Sequence, residues 1–214
     1  MIPPKTQIRP EGLNAIIVAV LATIVFALLG FGVLSLIGLV LTILVLNFFR
    51  DPERVVPDDP DVVVAPADGK VVKTCIMSDP ITGEDRQAVC IFMNVFNVHV
   101  NRMPVRGTIE AIKYFPGKFF NASLDKASRD NERCAWLIRD EHGQEWTMVQ
   151  IAGLVARRIV CLAEKGDSLN RGERYGLIKF GSRVDLYIPR GYEVTTVNGE
   201  KVLAGQSIIA RKSK

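Results

Sequence analysis

The chain has 214 residues, a net charge of +4 and 48% hydrophobic residues, enough for one or two domains. Its four cysteines (Cys75, Cys90, Cys134, Cys161) are widely spaced, form no Cys-x-x-Cys pair, and share the chain with only two histidines, which argues against a zinc site or any other metal. No binding motif accompanies the basic excess, which argues against nucleic acid as a partner.

Ala15 to Phe49 carries no charged residue and is mostly Ala, Val, Ile, Leu and Phe. Such a run exceeds the roughly 18 residues that mark a transmembrane helix, and it is too long for one crossing of about 20. Gly30-Phe31-Gly32 offers a break. The pattern predicts an N-terminal arm over 1–14 and a membrane helical hairpin over 15–49, with helices near 15–29 and 33–49; one long tilted helix is the alternative. The length of the run and the lack of a cleavage site after it argue against a signal peptide. Lys5, Arg9, Arg50 and Arg54 flank the hairpin, and its turn is uncharged. The positive-inside tendency then places both ends, and everything after residue 50, in the cytoplasm at the cell membrane. There the cysteines stay reduced and read as small buried apolar residues.

Residues 50–60, with Pro52, Pro57 and Pro60, read as a stiff linker. From 61 to 214 the apolar residues come in short β-branched runs bounded by Gly, Pro, Asp and Asn, which predicts strands. The candidates are Val71–Met77, Ala88–Asn94, Val105–Phe115, Cys134–Arg139, Trp146–Ala152, Val184–Pro189, Glu193–Val197, a strand from Lys201, and Ser207–Arg211. Asp140-Glu141-His142-Gly143 reads as a hairpin turn, and Asn198-Gly199 as a type I′ turn. Ser123–Arg133 is a short helix or a loop. The fold class is mainly β, an antiparallel sandwich or partly closed barrel. Basic residues thicken late in the chain: Arg157, Arg158, Lys165, Arg171, Arg174, Lys179, Arg183, Arg190, Arg211, Lys212 and Lys214. They form a solvated surface or one drawn to anionic head groups.

Few residues in this domain are suited to acid–base chemistry. His142 lies in a turn, so His99 is the candidate imidazole, titrating near neutral pH. A lone strand histidine is more often structural than catalytic. Asp68, in an Asp-Gly turn, is either turn chemistry or a carboxylate that orients His99. Gly181-Ser182 is by itself an ordinary turn dipeptide.

Three segments together change this weighting. They are Ala65-Pro66-Ala67-Asp68-Gly69-Lys70-Val71, Asn97-Val98-His99-Val100-Asn101-Arg102-Met103-Pro104, and Phe180-Gly181-Ser182-Arg183. In this order they resemble the phosphatidylserine decarboxylase proenzymes, short form, across most of residues 50–214. The resemblance implies self-cleavage between Gly181 and Ser182, by attack of the Ser182 hydroxyl on the Gly181 carbonyl. It implies that Ser182 then becomes a covalent pyruvoyl cofactor at the N-terminus of a small fragment. Fragments 1–181 and 182–214 would stay together, with His99 and Asp68 as the other catalytic residues. The implied reaction converts phosphatidylserine to phosphatidylethanolamine and carbon dioxide at the membrane; the archaeal ether lipid archaetidylserine is an alternative substrate. Longer bacterial members carry Leu-Gly-Ser-Thr at the cut and a second histidine three positions after the first; here those places hold Phe180-Gly181-Ser182-Arg183 and Arg102. Two other readings remain at this level: a lipoyl-like carrier modified at Lys201, and a membrane serine hydrolase using the same three residues without a Gly-x-Ser-x-Gly elbow. The sequence leaves homo-oligomerisation open.

Overall fold

The computed structural model describes residues 7–123, 126–153, 158–179 and 181–213. The candidates Lys5, Arg157, Phe180 and Lys214 lie outside these. Two compact units divide the chain, Met1–Glu53 and Arg54–Lys214.

The first unit is two apolar helices, α1 (Leu13–Leu28) and α2 (Gly32–Phe48), with Gly30 between them at φ +78°. A left-handed residue there suits only glycine without strain, so the chain can reverse in three residues. The helices approach closely at Gly38, where a Cβ would lie 2.6 Å from Thr23 Oγ1. Thr23 and Thr42 meet across the pair at 3.3 Å, and each hydroxyl also donates to a carbonyl in its own helix. Small residues and back-bonded threonines are how helices pack where no water drives them together. The two ends are tied: Arg9 N–H donates to Phe49 O at 2.8 Å, Asp51 N–H donates to Gln7 O at 2.7 Å, and Arg9 faces Asp51 at 3.5 Å. Most leucines, isoleucines and valines of both helices are exposed. The segment Pro10–Leu28, at 19 residues and mean hydropathy 2.2, is long and apolar enough to cross a membrane; Gly32–Phe48 is apolar but shorter.

The second unit is mainly β. Its strands are β1 (Val62–Val64), β2 (Gly69–Ser78), β3 (Asp85–Met93), β4 (Val100–Arg102) and β5 (Gly107–Phe115). After the one-turn helix α3 (Ala127–Asp130) come β6 (Arg133–Asp140), β7 (Glu145–Ala152), β8 (Ile159–Cys161), β9 (Ser168–Leu169) and β10 (Arg174–Ile178). The last four are β11 (Ser182–Ile188), β12 (Tyr192–Val194), β13 (Lys201–Val202) and β14 (Ile208–Lys212). Every pairing is antiparallel. A curled eight-stranded sheet, in the order β13-β2-β3-β11-β7-β6-β5-β9, forms a half-barrel; β4-β10-β8 and β1-β14-β12 are smaller sheets.

The β6–β7 hairpin shows how local chemistry sets the register. Asp140 Oδ1 accepts the N–H groups of His142 and Gln144, its Oδ2 accepts Trp146 Nε1–H, and Gly143 takes φ +77°. Asn198-Gly199 also turns, with Gly199 at φ +95°, but it does not close a hairpin. The strand before it, β12, pairs with β14, while β13 pairs with β2, so the turn passes the chain between sheets. Lys201 therefore lies in a paired strand opposite Lys70, not at a hairpin tip.

β11 runs between β3 and β7 and is buried along its whole length. Val184, Leu186 and Ile188 enter the main core, and Tyr187 packs with Ala88, Ala135, Val149 and Ile151 on the other face. Arg183 shares that second face. Its guanidinium forms a bidentate pair with Asp185, at 2.6 and 2.7 Å, and both residues are fully buried. The late basic residues are thus not one solvated surface. Arg183 is interior, Arg171 donates to the carbonyls of Pro57 and Val62, and Arg211 pairs with Asp59. The cysteines also divide. All four are free thiols; Cys90 and Cys134 are buried, Cys75 is half-buried, and Cys161 is exposed. Hydrogen bonding to Cys134 holds the Cys161 thiol down to about 7.

Removing one member of a buried ion pair strands the other charge in a dry interior, at about 3–5 kcal/mol. Asp185→Ala is therefore expected to lower stability by about that amount in denaturant titrations followed by tryptophan fluorescence, and Arg183→Met/Asp185→Leu to lose clearly less.

Candidate active site

Ser182 is the first residue of β11, where the strand leaves a left-handed Gly181 at φ +60°. No atom lies within 4 Å of where a Gly181 Cβ would be, so glycine is needed there for its backbone alone. Ser182 stands opposite Met93 on β3 and Ala152 on β7, so its side chain shares their face, inside the half-barrel. It is fully buried, and among the described residues its Oγ has no hydrogen-bond partner. Buried hydroxyls are nearly always paired, so an orphan one calls for a reason.

The Gly181 carbonyl, which precedes Ser182, points at Gly153. A Cβ on Gly153 would stand 2.1 Å from that oxygen. Gly153 follows β7 directly, so strand pairing brings it to the junction. Asn131 braces the same strand end: its buried side-chain amide donates to Ala152 O at 2.7 Å and to Phe120 O at 2.8 Å, and accepts from Phe120 N–H at 3.0 Å.

His99 comes from the smaller sheet. It immediately precedes β4, is buried, and its carbonyl accepts from Ile178 N–H at 3.2 Å. The Gly181 N–H donates to His99 Nε2 at 3.3 Å. An acceptor Nε2 leaves the ring proton on Nδ1, which lies 2.9 Å from the Asn97 carbonyl and donates to it. The basic lone pair therefore faces the 181–182 junction.

Asp68 is buried in the loop between β1 and β2. Its Oδ2 accepts from Arg54 at 2.9 Å and its Oδ1 from Ala204 N–H at 2.8 Å. Two residues earlier, the Pro66 carbonyl accepts from Arg102 N–H at 2.9 Å, which lays this loop along β4, the strand that begins just after His99. The structure thus brings His99 against Gly181 and the Asp68 loop against β4, while the Ser182 hydroxyl is not hydrogen-bonded to either side chain. Residues without a sequence signal also take part. In the sequence Arg54 stands only as a membrane flank, and Gly153 is one of 17 glycines.

The family model for phosphatidylserine decarboxylase matches residues 41–210. The chain belongs to this family. A protein of Nitratidesulfovibrio vulgaris named phosphatidylserine decarboxylase proenzyme is 62% identical over 210 residues, covering 98% of this chain and 97% of that one. Relatives of the same name from Oleidesulfovibrio alaskensis and Burkholderia lata are 57% and 48% identical, each over 208 residues, with at least 95% of either chain covered. Within the phosphatidylserine decarboxylase family, then, this chain places a Gly-Ser junction with a left-handed glycine at the head of a buried central strand.

Gly153→Ala should obstruct the Gly181 carbonyl directly. A displacement of about 1 Å can cost about 10²-fold in rate. If the chain cuts itself at 181–182, as the resemblance implies, that cleavage, followed by gel electrophoresis of freshly synthesised chain, is expected to slow at least that much.

Proposed function

We propose that the protein is a self-processing, pyruvoyl-dependent phosphatidylserine decarboxylase of the membrane, with Ser182, His99 and Asp68 as its catalytic residues. The observation that carries this reading is the buried, unbonded Ser182 hydroxyl beside a left-handed Gly181 whose N–H meets His99 Nε2.

The first step is an acyl shift. Ser182 Oγ attacks the Gly181 carbonyl carbon, the peptide C–N bond breaks, and an ester links the two residues. The Oγ proton passes to His99 Nε2 and returns to the freed Ser182 nitrogen. Ser182 directly follows Gly181, so its hydroxyl and the Gly181 N–H compete for one lone pair. Asn97 holds the ring by its Nδ1–H, the place the acid takes in a Ser-His-Asp triad, so Asp68 would stabilise the imidazolium through its charge and not through that bond. Removal of the Ser182 α-proton then expels the Gly181 carboxylate. Water converts the resulting dehydroalanine to a pyruvoyl group, releasing ammonia.

The fit of that group to the site rests on Ser182 itself, a buried precursor whose hydroxyl has no competing hydrogen bond among the described residues. When present, it supplies an electron sink for the pair released as carbon dioxide leaves the serine head group. His99 is the residue in position to deliver a proton in its place. The fragments 1–181 and 182–214 remain a heterodimer, because β11 is paired on both sides and β13 and β14 are paired with β2 and β1. The helices α1 and α2 form the membrane hairpin, with the β unit on the cytoplasmic side. Their tied ends support both termini of the hairpin lying on one side.

Ser182→Ala is expected to leave one full-length chain without decarboxylase activity; a small fragment detected by mass spectrometry in this variant would sink the reading. General-base assistance is worth about 10²–10⁴-fold, so His99→Ala should slow cleavage by that order, with Asp68→Asn moving in the same direction.

Tethering raises effective concentration, with gains of about 10²–10⁴-fold in apparent affinity. A chain lacking residues 1–49 is therefore expected to lose far more turnover on phosphatidylserine vesicles than on dispersed short-chain lipid. Equal losses on the two substrates would remove the role given to the hairpin.

A further inference from the structure

The two halves of the site belong to different sheets. His99 leads into β4 of the β4-β10-β8 sheet, whereas Ser182 heads β11 of the eight-stranded sheet. A chain of buried polar side chains crosses between them. Trp136 Nε1–H on β6 donates to Gln150 Oε1 on β7 at 2.9 Å. Gln150 Nε2 donates to Asn101 Oδ1 on β4 at 2.8 Å, and Asn101 Nδ2 donates to Met93 Sδ on β3 at 3.7 Å. All four residues are fully buried. Met93 is the residue opposite Ser182, and Gln150 stands opposite Val184, on the Ser182 face of the sheet.

The surrounding residues accommodate this crossing. Gly176 on β10 is paired with Asn101, and a Cβ there would lie 2.8 Å from Gln150 Nε2. Its backbone φ is ordinary, so the absent side chain serves space and not conformation. Beside it, the Tyr175 ring meets Trp136 edge-on at 5.1 Å between centroids. Apolar contacts between sheets tolerate sliding, but a buried amide–amide bond is directional and costly to leave unmade.

We infer that Gln150 and Asn101 are positioning residues for self-cleavage: their bond fixes β4 against β7 and so sets where His99 Nε2 stands relative to the Gly181–Ser182 junction. The inference rests on the reading of Ser182 and His99 given above. Neither amide touches the reacting atoms; both act through the imidazole.

The test follows cleavage of the full-length chain with time, across pH, after cell-free synthesis with phospholipid vesicles. Gln150→Leu keeps the volume and removes both hydrogen bonds. Gly176→Ala pushes the Gln150 amide aside without changing any polar group. Each is expected to slow cleavage about 10–100-fold, as misplacement of a catalytic group does. The dependence on a neutral imidazole should disappear with it, leaving a rate that rises with hydroxide. The exchanged pair Asn101→Gln/Gln150→Asn restores an amide–amide bond of the same total length, and is expected to recover both rate and pH profile. Ile138→Val, a core change on β6 away from the junction, controls for lost stability alone. A rate lowered only in proportion to the folded fraction, with an unchanged pH profile, overturns the inference, and so does wild-type cleavage in Gln150→Leu. Should Gln150→Leu fail to fold, Gly176→Ala and the exchanged pair decide the matter by the same two readouts. Ser182→Ala run alongside separates the failures. If it still cuts at 181–182, the parent reading falls; if it stays uncut while the Gln150 and Gly176 variants behave as wild type, only the positioning role falls.

Discussion

The hydrogen bond from the Gly181 N–H to His99 Nε2 is where the two sheets of the β unit meet at the proposed cleavage junction, and much of the surrounding structure maintains it. Because the amide must donate, Nε2 must accept, and the ring proton is forced onto Nδ1, where the Asn97 carbonyl receives it. A single contact therefore fixes the tautomer, the ring orientation and the direction of the lone pair. Gly181 presents its N–H from the left-handed region, and Gly153 leaves space for its carbonyl.

The junction sits at the head of a strand buried on both faces and paired on both edges, which matters if the chain is cut there, as proposed. A cut in a surface loop would release mobile ends. Here the new N-terminus at Ser182 stays between Met93 and Ala152, held by the rest of β11. Burial also excludes bulk water, which strengthens each electrostatic contact near the imidazole. The cost is local: an unpaired buried hydroxyl forgoes about 1–3 kcal/mol, whereas glycine takes the left-handed conformation at 181 without strain. On the proposed reading that cost falls on the residue whose hydroxyl is consumed. The core and the Arg183–Asp185 pair, on the opposite face, hold the strand in place.

Much of the fold was legible from residue type and spacing, because β2, β3, β5, β6 and β7 are long runs of β-branched and aromatic residues ended by turn formers. β8, β9 and β10 were not. They are short, and Arg174-Tyr175-Gly176 carries a charge and a glycine where a strand signal should be. Arg183 looked like one more surface cation, because a sequence does not show that both faces of β11 are covered; Asp185 two positions on was the available hint, since residues i and i+2 share a face. Asn198-Gly199 was a sound turn signal, but which sheets a turn connects is a tertiary fact. In the site, His99, Asp68, Gly181 and Ser182 stood out because each lies in a motif. Gln150 and Gly153 had no such context: their roles come from strand register, which pairs Gln150 with Val184 and brings Gly153 to the scissile carbonyl.

On the membrane reading proposed above, the helical unit answers to a different solvent. Its large aliphatic side chains point outward, and its interior contact is a small-residue approach at Gly38 with hydroxyls bonded back to their own helices. In water that arrangement would be inverted, with the leucines between the helices and the threonines outside. In hydrocarbon, the leucines gain nothing from being hidden, and unpaired hydroxyls are the expensive groups. The polar residues gather instead at the tied ends, where Arg9, Glu11 and Asp51 form a charge cluster bound to the backbone of the returning chain. Charges at one end and none at the turn give the hairpin a direction, since the uncharged end is the cheaper one to drive through a bilayer. For an enzyme whose substrate is itself a membrane lipid, such an anchor would turn the search for substrate from three dimensions into two.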